Sequence, residues 1–546
     1  MRKAFIFTAI IVLVIGAIAG GLFGRLPQQK NAGVAGDYGE ALALIGDNYA
    51  GEVKYEKVTE SSIQGMLWTL DPHSAFFNSR ELQKLYEDQS SRFYGIGVSI
   101  LQHRDGVYIQ SVVPDTPAEK AGLRYGDRFL EVDGEDARKW TSAEVSNKVR
   151  GARNTPVNIK LERAAADKPI NLQIYRDGVP YPSIRDYFML KPDTGYVGLT
   201  GGFQETTAEE LDLAIADLKK LGMKQLVLDM RGNPGGLLPQ AIEVSSRFIP
   251  RGQVIVSVKG RTKFMETKDY RATFDQTEDI PLVVLINGGT ASASEIVAGA
   301  VQDYGRGLVV GNTSFGKGLV QKVFRLPMDT GMTLTMQRYY TPYGRSLQRD
   351  YSSGSIYEYY THGTYNGAEN GAEKAAEPKP DAPPAADAVE TAGGRLFYGG
   401  RGIEPDLKVT ALAYTPLRTR IAESAFFFVR QMVAGRIAGL ENYQIEKQKP
   451  GHVLQPTDYE INDRILEAFR EFVVRDKESG LSTENLDTQL DFARMRLRDE
   501  LVTAAYSTEL GQQVLLQQDP QVLKAIDVLP EAKKLAENIR GNRQIG

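Results

Sequence analysis

The sequence predicts a multidomain α+β chain. In order it should hold an N-terminal membrane-spanning or signal helix, a helical segment, a small β-rich domain, an α/β core and a helical C-terminal extension. Three observations carry that expectation. At 546 residues the chain is too long for one hydrophobic core. Its hydrophobic period changes from helical spacing to short β-type runs, then to strands alternating with helices, then back to helical spacing. Its composition, 42% hydrophobic and 25% charged, is that of a globular protein.

The same composition excludes several kinds of chemistry. There are 65 basic and 69 acidic residues, a net charge of -4, with no basic excess for nucleic acid to recognise. There is no cysteine, which removes thiol catalysis, thiolate metal sites and disulfides. The histidines are His73, His103, His362 and His452, none near another in sequence, so no histidine zinc site is expected. Neither a metal nor a cofactor is expected.

Residues 1–26 form the signal or anchor segment. Arg2 and Lys3 precede an uncharged, mostly apolar run from Ala4 to Gly24, close to the roughly 20 residues that cross a bilayer as a helix. The two leading charges favour an inside N-terminus with the rest exported. Ala17-Ile18-Ala19 is also an A-x-A cleavage pattern, so the segment is either an anchor or a cleaved leader. Residues 33–90 are helical, with a turn at "DPHSAFF". Residues 91–178 are short β-runs ("GVSIL", "GVYIQSVV", "RFLEVDG", "VNIKLERA") with helices at "PAEKAG" and "TSAEVSNKVRG". Residues 185–361 alternate strands ("TGYVGLTGG", "QLVLDM", "LVVLING", "GLVVG") with amphipathic helices, the pattern of a layered α/β domain. Residues 362–392 are rich in Ala, Pro and Glu and cannot bury a core, so a flexible insertion is expected there. Residues 393–412 complete the core, and 413–546 are helical.

"VVGNTSFGKGLVQK" imitates a nucleotide-binding P-loop around Lys317. The imitation fails twice. Gly318 stands where a Ser or Thr should hold magnesium, and the following run alternates like a hairpin, leaving no helix N-terminus for phosphate. A different use of Lys317 is as a base. Ser292 lies at a strand-to-helix turn in "NGGTASASEIVAGA", where it either caps the helix in a box with Glu295 or acts as a nucleophile. A lysine in apolar surroundings loses basicity and can then take a serine proton. Backbone N–H groups of "NPGG" would supply an oxyanion hole, although a plain turn is the simpler reading of that motif.

The ordered set "LDPHSAFF", "YGIGVSI", "AGLRYGDRFLEVDG", "LVLDMRGNPGGLL", "NGGTASASEIVAGAVQDYGRGLVVGNTSFGKGLVQ", "RYYTPYGRSLQ" and "GIEPD" resembles the C-terminal processing peptidases, or tail-specific proteases. The resemblance runs from about Asp37 to Val409. It implies Ser292 as nucleophile and Lys317, 25 residues on, as general base. It also implies Gln321 as the residue orienting the lysine and Glu295 as a supporting acid. Ala293 with Gly235 or Gly236 would form the oxyanion hole, and Ser294 would not be the nucleophile. The β-rich section would be a PDZ domain capturing a peptide C-terminus on the loop Tyr94-Gly95-Ile96-Gly97, with Ile96 and Val98 lining an apolar pocket. The implied protein is a serine endopeptidase on the periplasmic side of a bacterial cell envelope, anchored by its N-terminal helix, that cleaves exported proteins at or near their C-terminal tails. The alternative is a non-catalytic PDZ scaffold that binds tails. The helical extension is outside the resemblance and is either a module for oligomers or adaptors or a helical cap.

Overall fold

The computed structural model describes residues 32–261, 267–351 and 388–545. The apolar segment 1–26 and most of the Ala/Pro-rich insertion lie outside these residues. Among the described residues no helix is long and apolar enough to cross a membrane. The chain divides into two units, one ending at Leu70 and one beginning at Asp71. The first holds the helices Ala32–Asn48 and Tyr55–Trp68, with Tyr38, Leu44, Tyr49, Tyr55 and Trp68 exposed.

The second unit is built on a six-stranded sheet. Its order is Ile184–Lys191, Thr194–Leu199, Gln225–Asp229, Leu282–Ile286, Leu308–Gly311 and Leu407–Lys408. The first pair is antiparallel and every later pair parallel. Both faces are covered, which explains why the strands read as unbroken apolar runs. Leu226, Leu228, Leu282, Val284 and Val309 turn to one side, against the helices Thr207–Lys220, Leu238–Ser246 and Ala293–Asp303. The first of these helices starts with Glu209 and Glu210 and ends with Lys219 and Lys220, charges that complement its dipole. Val227, Val283, Leu285 and Val310 turn to the other side, against Leu516, Val522, Ala525, Leu529 and Ala532 of the C-terminal extension. A second sheet holds Ala75–Phe77, Gly331–Tyr340, Val254–Gly260 and Lys268–Arg271 in that order, with Leu319–Arg325 also paired to Gly331–Tyr340.

The β-rich domain is a separate sheet in the order Val98–His103, Gly106–Val112, Arg128–Val132, Pro156–Glu162 and Ile170–Tyr175, with the helix Ser142–Val149 against it. Val98–His103 pairs on one side only and is therefore an edge strand. Arg92–Gly95 pairs with Asp177–Pro180, which closes the domain's two ends together.

Two sequence expectations change here. The "DPHSAFF" turn contains a strand, Ala75–Phe77, held by Gly331–Tyr340. The last residues of the Ala/Pro-rich stretch are also a strand, since Ala388–Thr391 pairs with Arg395–Tyr398. Tertiary pairing supplies partners that local composition does not announce.

The extension packs on both domains. Phe426 of the helix Pro416–Val433 stacks on His103 of the β-rich domain, with ring centroids 3.9 Å apart. Arg430 donates to the Gly126 carbonyl at 2.7 Å, and Tyr125 donates to Glu500 at 2.9 Å. The extension is thus a cap on the sheet and a bridge to the β-rich domain.

Candidate active site

Three loops leave the C-terminal ends of three adjacent parallel strands, the position where open α/β sheets place their ligands. Arg231–Gly236 follows Gln225–Asp229, Asn287–Ser292 follows Leu282–Ile286, and Asn312–Gly318 follows Leu308–Gly311. The first carries Gly235 and Gly236, the second Ser292, the third Lys317.

Ser292 is buried at the N-cap of the helix Ala293–Asp303 with φ +56° and ψ -113°, a conformation that a non-glycine residue holds only under constraint. The constraint is visible. The Asn233 carbonyl receives the N–H of Ala291 at 2.9 Å and the Ser294 hydroxyl at 3.1 Å. Gly235 lies flat against the Ser292 turn. A Cβ there would stand 2.8 Å from Ser292 Cβ and 2.9 Å from Ala293 N, so only glycine fits. Ser294, with its hydroxyl spent on Asn233, is fully buried behind the turn.

Glu295 is the hub. Its Oε2 accepts the N–H of Ser292 and the N–H of Lys317, each at 2.8 Å. Its Oε1 accepts the N–H of Gly316 at 2.7 Å and the Ser314 hydroxyl at 2.5 Å. One carboxylate oxygen therefore ties together the main chains of the serine and the lysine. Burial pushes the Glu295 pKa up, while these donors pull it down by favouring the charged form. The Ser292 N–H bond caps the helix, and the same carboxylate holds the Ser314–Lys317 loop against it.

Burial lowers the Lys317 pKa by disfavouring the ammonium, and the charges of Glu295 and Asp71 oppose that shift. Its side chain and the Ser292 hydroxyl are not hydrogen-bonded to each other in this structure. Gln321 is placed differently from what the resemblance implies. Its Nε2 donates to the main-chain carbonyl of His73, and its strand is irregular at that point in its pairing with Gly331–Tyr340.

His73 is the neighbour that sequence reasoning missed. Asp71 accepts the N–H groups of His73 and Ser74 at 2.8 and 2.9 Å and the Ser74 hydroxyl at 2.8 Å, which fixes the turn. That turn brings the imidazole beside Phe315 and close to Lys317. Burial first, then the Lys317 charge, depress the His73 pKa to about 3. The signal was present in "DPHSAFF", but 244 residues separate His73 from Lys317 in the chain, and tertiary contacts, the strand pairing of Ala75–Phe77 and the Gln321 bond to the His73 carbonyl, bring them together.

The glycine pair also separates. The Gly235 N–H is donated to Asn233 Oδ1 at 2.9 Å. The N–H groups of Gly236 and Ala293 have no hydrogen-bond acceptor among the described residues.

In the β-rich domain, the loop Tyr94–Gly97 turns its carbonyls inward. Those of Tyr94, Ile96 and Gly97 accept from Gly151, Ala118 and Val113. The N–H groups of Ile96 and Gly97 find no acceptor among the described residues. Tyr94 is exposed and Gly95 buried, while the Ile96 side chain is 1% exposed inside the domain core. Ile96 therefore does not line an open pocket. Val98 and Ile100 are the half-buried apolar residues on the edge strand.

Comparison with known proteins agrees with this layout. Residues 193–354 match the model of peptidase family S41, and residues 108–163 match a PDZ domain. A carboxy-terminal-processing protease of Bartonella bacilliformis is 36% identical over 315 residues, covering 57% of this chain and 72% of that protein. The chain belongs to peptidase family S41. A second relative, the carboxy-terminal processing protease CtpB of Bacillus subtilis, is 32% identical over 313 residues, 57% of this chain and 65% of the relative, slightly under two thirds. A solved photosystem II D1 C-terminal processing protease is 28% identical, with 66% of this chain and 84% of that one covered and a TM-score of 0.36. Within this S41 serine peptidase, the family match holds all three loops, the Glu295 hub and most of the second sheet. The Asp71–Ser74 turn and the helical extension lie outside that match.

Proposed function

We propose that this S41 peptidase cleaves exported proteins at or near their C-terminal tails through a Ser292–Lys317 dyad. The observation that carries the reading is the shared Glu295 oxygen, which brings a constrained serine and a lysine of lowered pKa into one site. Neutral Lys317 takes the Ser292 hydroxyl proton as Oγ attacks the peptide carbonyl. The oxyanion settles on the N–H groups of Ala293 and Gly236, since Gly235 is committed to Asn233. Lys317, now an ammonium, gives its proton to the leaving amine, and water then resolves the acyl-enzyme. Gln321 acts at one remove, holding the His73 turn against Lys317.

The PDZ domain takes the tail. An edge strand beside the helix Ser142–Val149 accepts an added strand, and the N–H groups of Ile96 and Gly97 receive its terminal carboxylate. Residues 1–26 anchor the enzyme to the membrane or are cut off on export, which places the body on the periplasmic side of a cell envelope.

The test uses the chain from residue 27 on and a flexible peptide with an apolar C-terminus, followed by mass spectrometry. Wild type should cleave it and cleave the C-terminally amidated peptide more slowly. Ser292→Ala and Lys317→Ala should bind it without cleaving. Cleavage by Ser292→Ala would sink the dyad, and binding without cleavage by all three would make the protein a tail-binding scaffold.

A further inference from the structure

Among the described residues, the helical extension hydrogen-bonds to the catalytic loops through one short stretch, Asp519–Gln521. Asp519 caps the helix Pro520–Asp527, and its two oxygens do different work. Oδ1 accepts the N–H groups of Gln521 and Val522 at 2.7 and 3.2 Å, whereas Oδ2 receives Arg231 at 2.7 Å. Gln521 is fully buried and used at both ends of its amide. Its Oε1 accepts from Arg231 at 2.8 Å, and its Nε2 donates to Asn312 Oδ1 and to the Val409 carbonyl, each at 2.8 Å. Arg231, also held by both oxygens of Asp229, opens the turn that carries Gly235 and Gly236. Asn312 opens the loop that carries Ser314 and Lys317. A helix cap requires only the Oδ1 bonds. The rest of the network joins two catalytic loops to each other.

We propose that Asp519 and Gln521 are positioning residues for the peptidase reaction, acting through Arg231 and Asn312 to fix the oxyanion turn relative to the lysine loop. The proposal rests on the reading of Ser292, Lys317 and Gly236 given above. A displacement of about 1 Å between such groups lowers turnover by about 100-fold, so residues that touch no substrate still set the rate. The extension that carries them is packed on the PDZ domain through Phe426 and Glu500, so it is a part of the catalytic apparatus as well as a cap.

Two variants separate positioning from capping. Asp519→Asn keeps an Oδ1 acceptor for the cap but removes the charge facing Arg231. Gln521→Leu removes all three amide contacts at nearly constant volume. Asn462→Ala, which deletes the cap bond to the Ile465 N–H at 3.0 Å elsewhere in the extension, controls for lost stability. Both test variants should lower kcat about 10-fold or more, with KM and tail affinity within about twofold of wild type. Asn462→Ala should keep its kcat at a comparable loss of Tm. Unchanged kcat in Asp519→Asn and Gln521→Leu overturns the proposal. So does a loss that merely follows melting as in Asn462→Ala, or failure of both variants to fold; if one alone fails to fold, the other decides. Ser292→Ala in the same assay keeps the two ideas apart. If it still cleaves, the dyad reading has failed; if it is inactive while both brace variants are fully active, only the brace has failed.

Discussion

Ser292 sits at φ +56°, a conformation that costs about 1–3 kcal/mol, and it is held there by Glu295, Asn233 and the close approach of Gly235. Lys317 works against stability for a related reason, because its ammonium is desolvated. The sign of both consequences follows from the lowered pKa. In the proposed mechanism Lys317 acts as the free amine, so kcat/KM should fall as pH drops through its pKa, which burial holds below the ordinary lysine value of about 10.4. A pH–rate profile checks this, and a limb at or above that value would contradict it. Folding responds to the same proton. The unfolded chain binds it more tightly, so Lys317 opposes folding at neutral pH, and that penalty fades as pH rises toward about 10.4. Lys317→Met should therefore be inactive yet unfold at a higher urea concentration than wild type at neutral pH, the difference narrowing in alkali.

Among the elements, the parallel strands do the placing. Three of them, Gln225–Asp229, Leu282–Ile286 and Leu308–Gly311, are short, mostly apolar on both faces, and end where a loop of the candidate site begins. Their alternation divides them cleanly, with Val283 and Leu285 turned to the extension and Leu282 and Val284 to the family helices. The helix Leu529–Ile545 is accordingly part of the core, although it follows the family motifs by more than a hundred residues. Leu529 is fully buried against the sheet. Leu529→Ala should cost about 2–5 kcal/mol, read as a lower urea midpoint with the slope unchanged. A loss below about 0.5 kcal/mol would mean that this face is not a packed core.

At the scale of the whole molecule, the extension buries apolar surface of both the sheet and the PDZ domain, so the stability of both should depend on it. It covers Tyr196, Val227, Val283, Leu285 and Val310 of the sheet and packs on Tyr108 and Tyr125 of the PDZ domain. Ending the chain after Ala413 would expose both surfaces at once. Such a truncation should aggregate or lose cooperative unfolding, measured by scattering and by circular dichroism on heating. A soluble truncation with a sharp transition would show that the core is independent of its cap.

By itself the sequence determined the elements and the chemistry types: an apolar strand before each loop, a serine at a helix start, a lysine in an apolar loop, glycines where the backbone must pass close. Those properties depend on residues near in the chain, so local pattern reveals them. What only the tertiary structure decided depends on residues far apart. His73 reaches Lys317 because Ala75–Phe77 pairs with Gly331–Tyr340. Gln321 bonds to the His73 carbonyl in place of the lysine, Gly235 is spent on Asn233, and Ile96 is claimed by the PDZ core. Asp519 looks like an ordinary helix cap until Arg231, 288 residues earlier, is found on its other oxygen. A cap is a contact within one turn and can be read from sequence, whereas a brace between loops exists only once the sheet has brought the loops together.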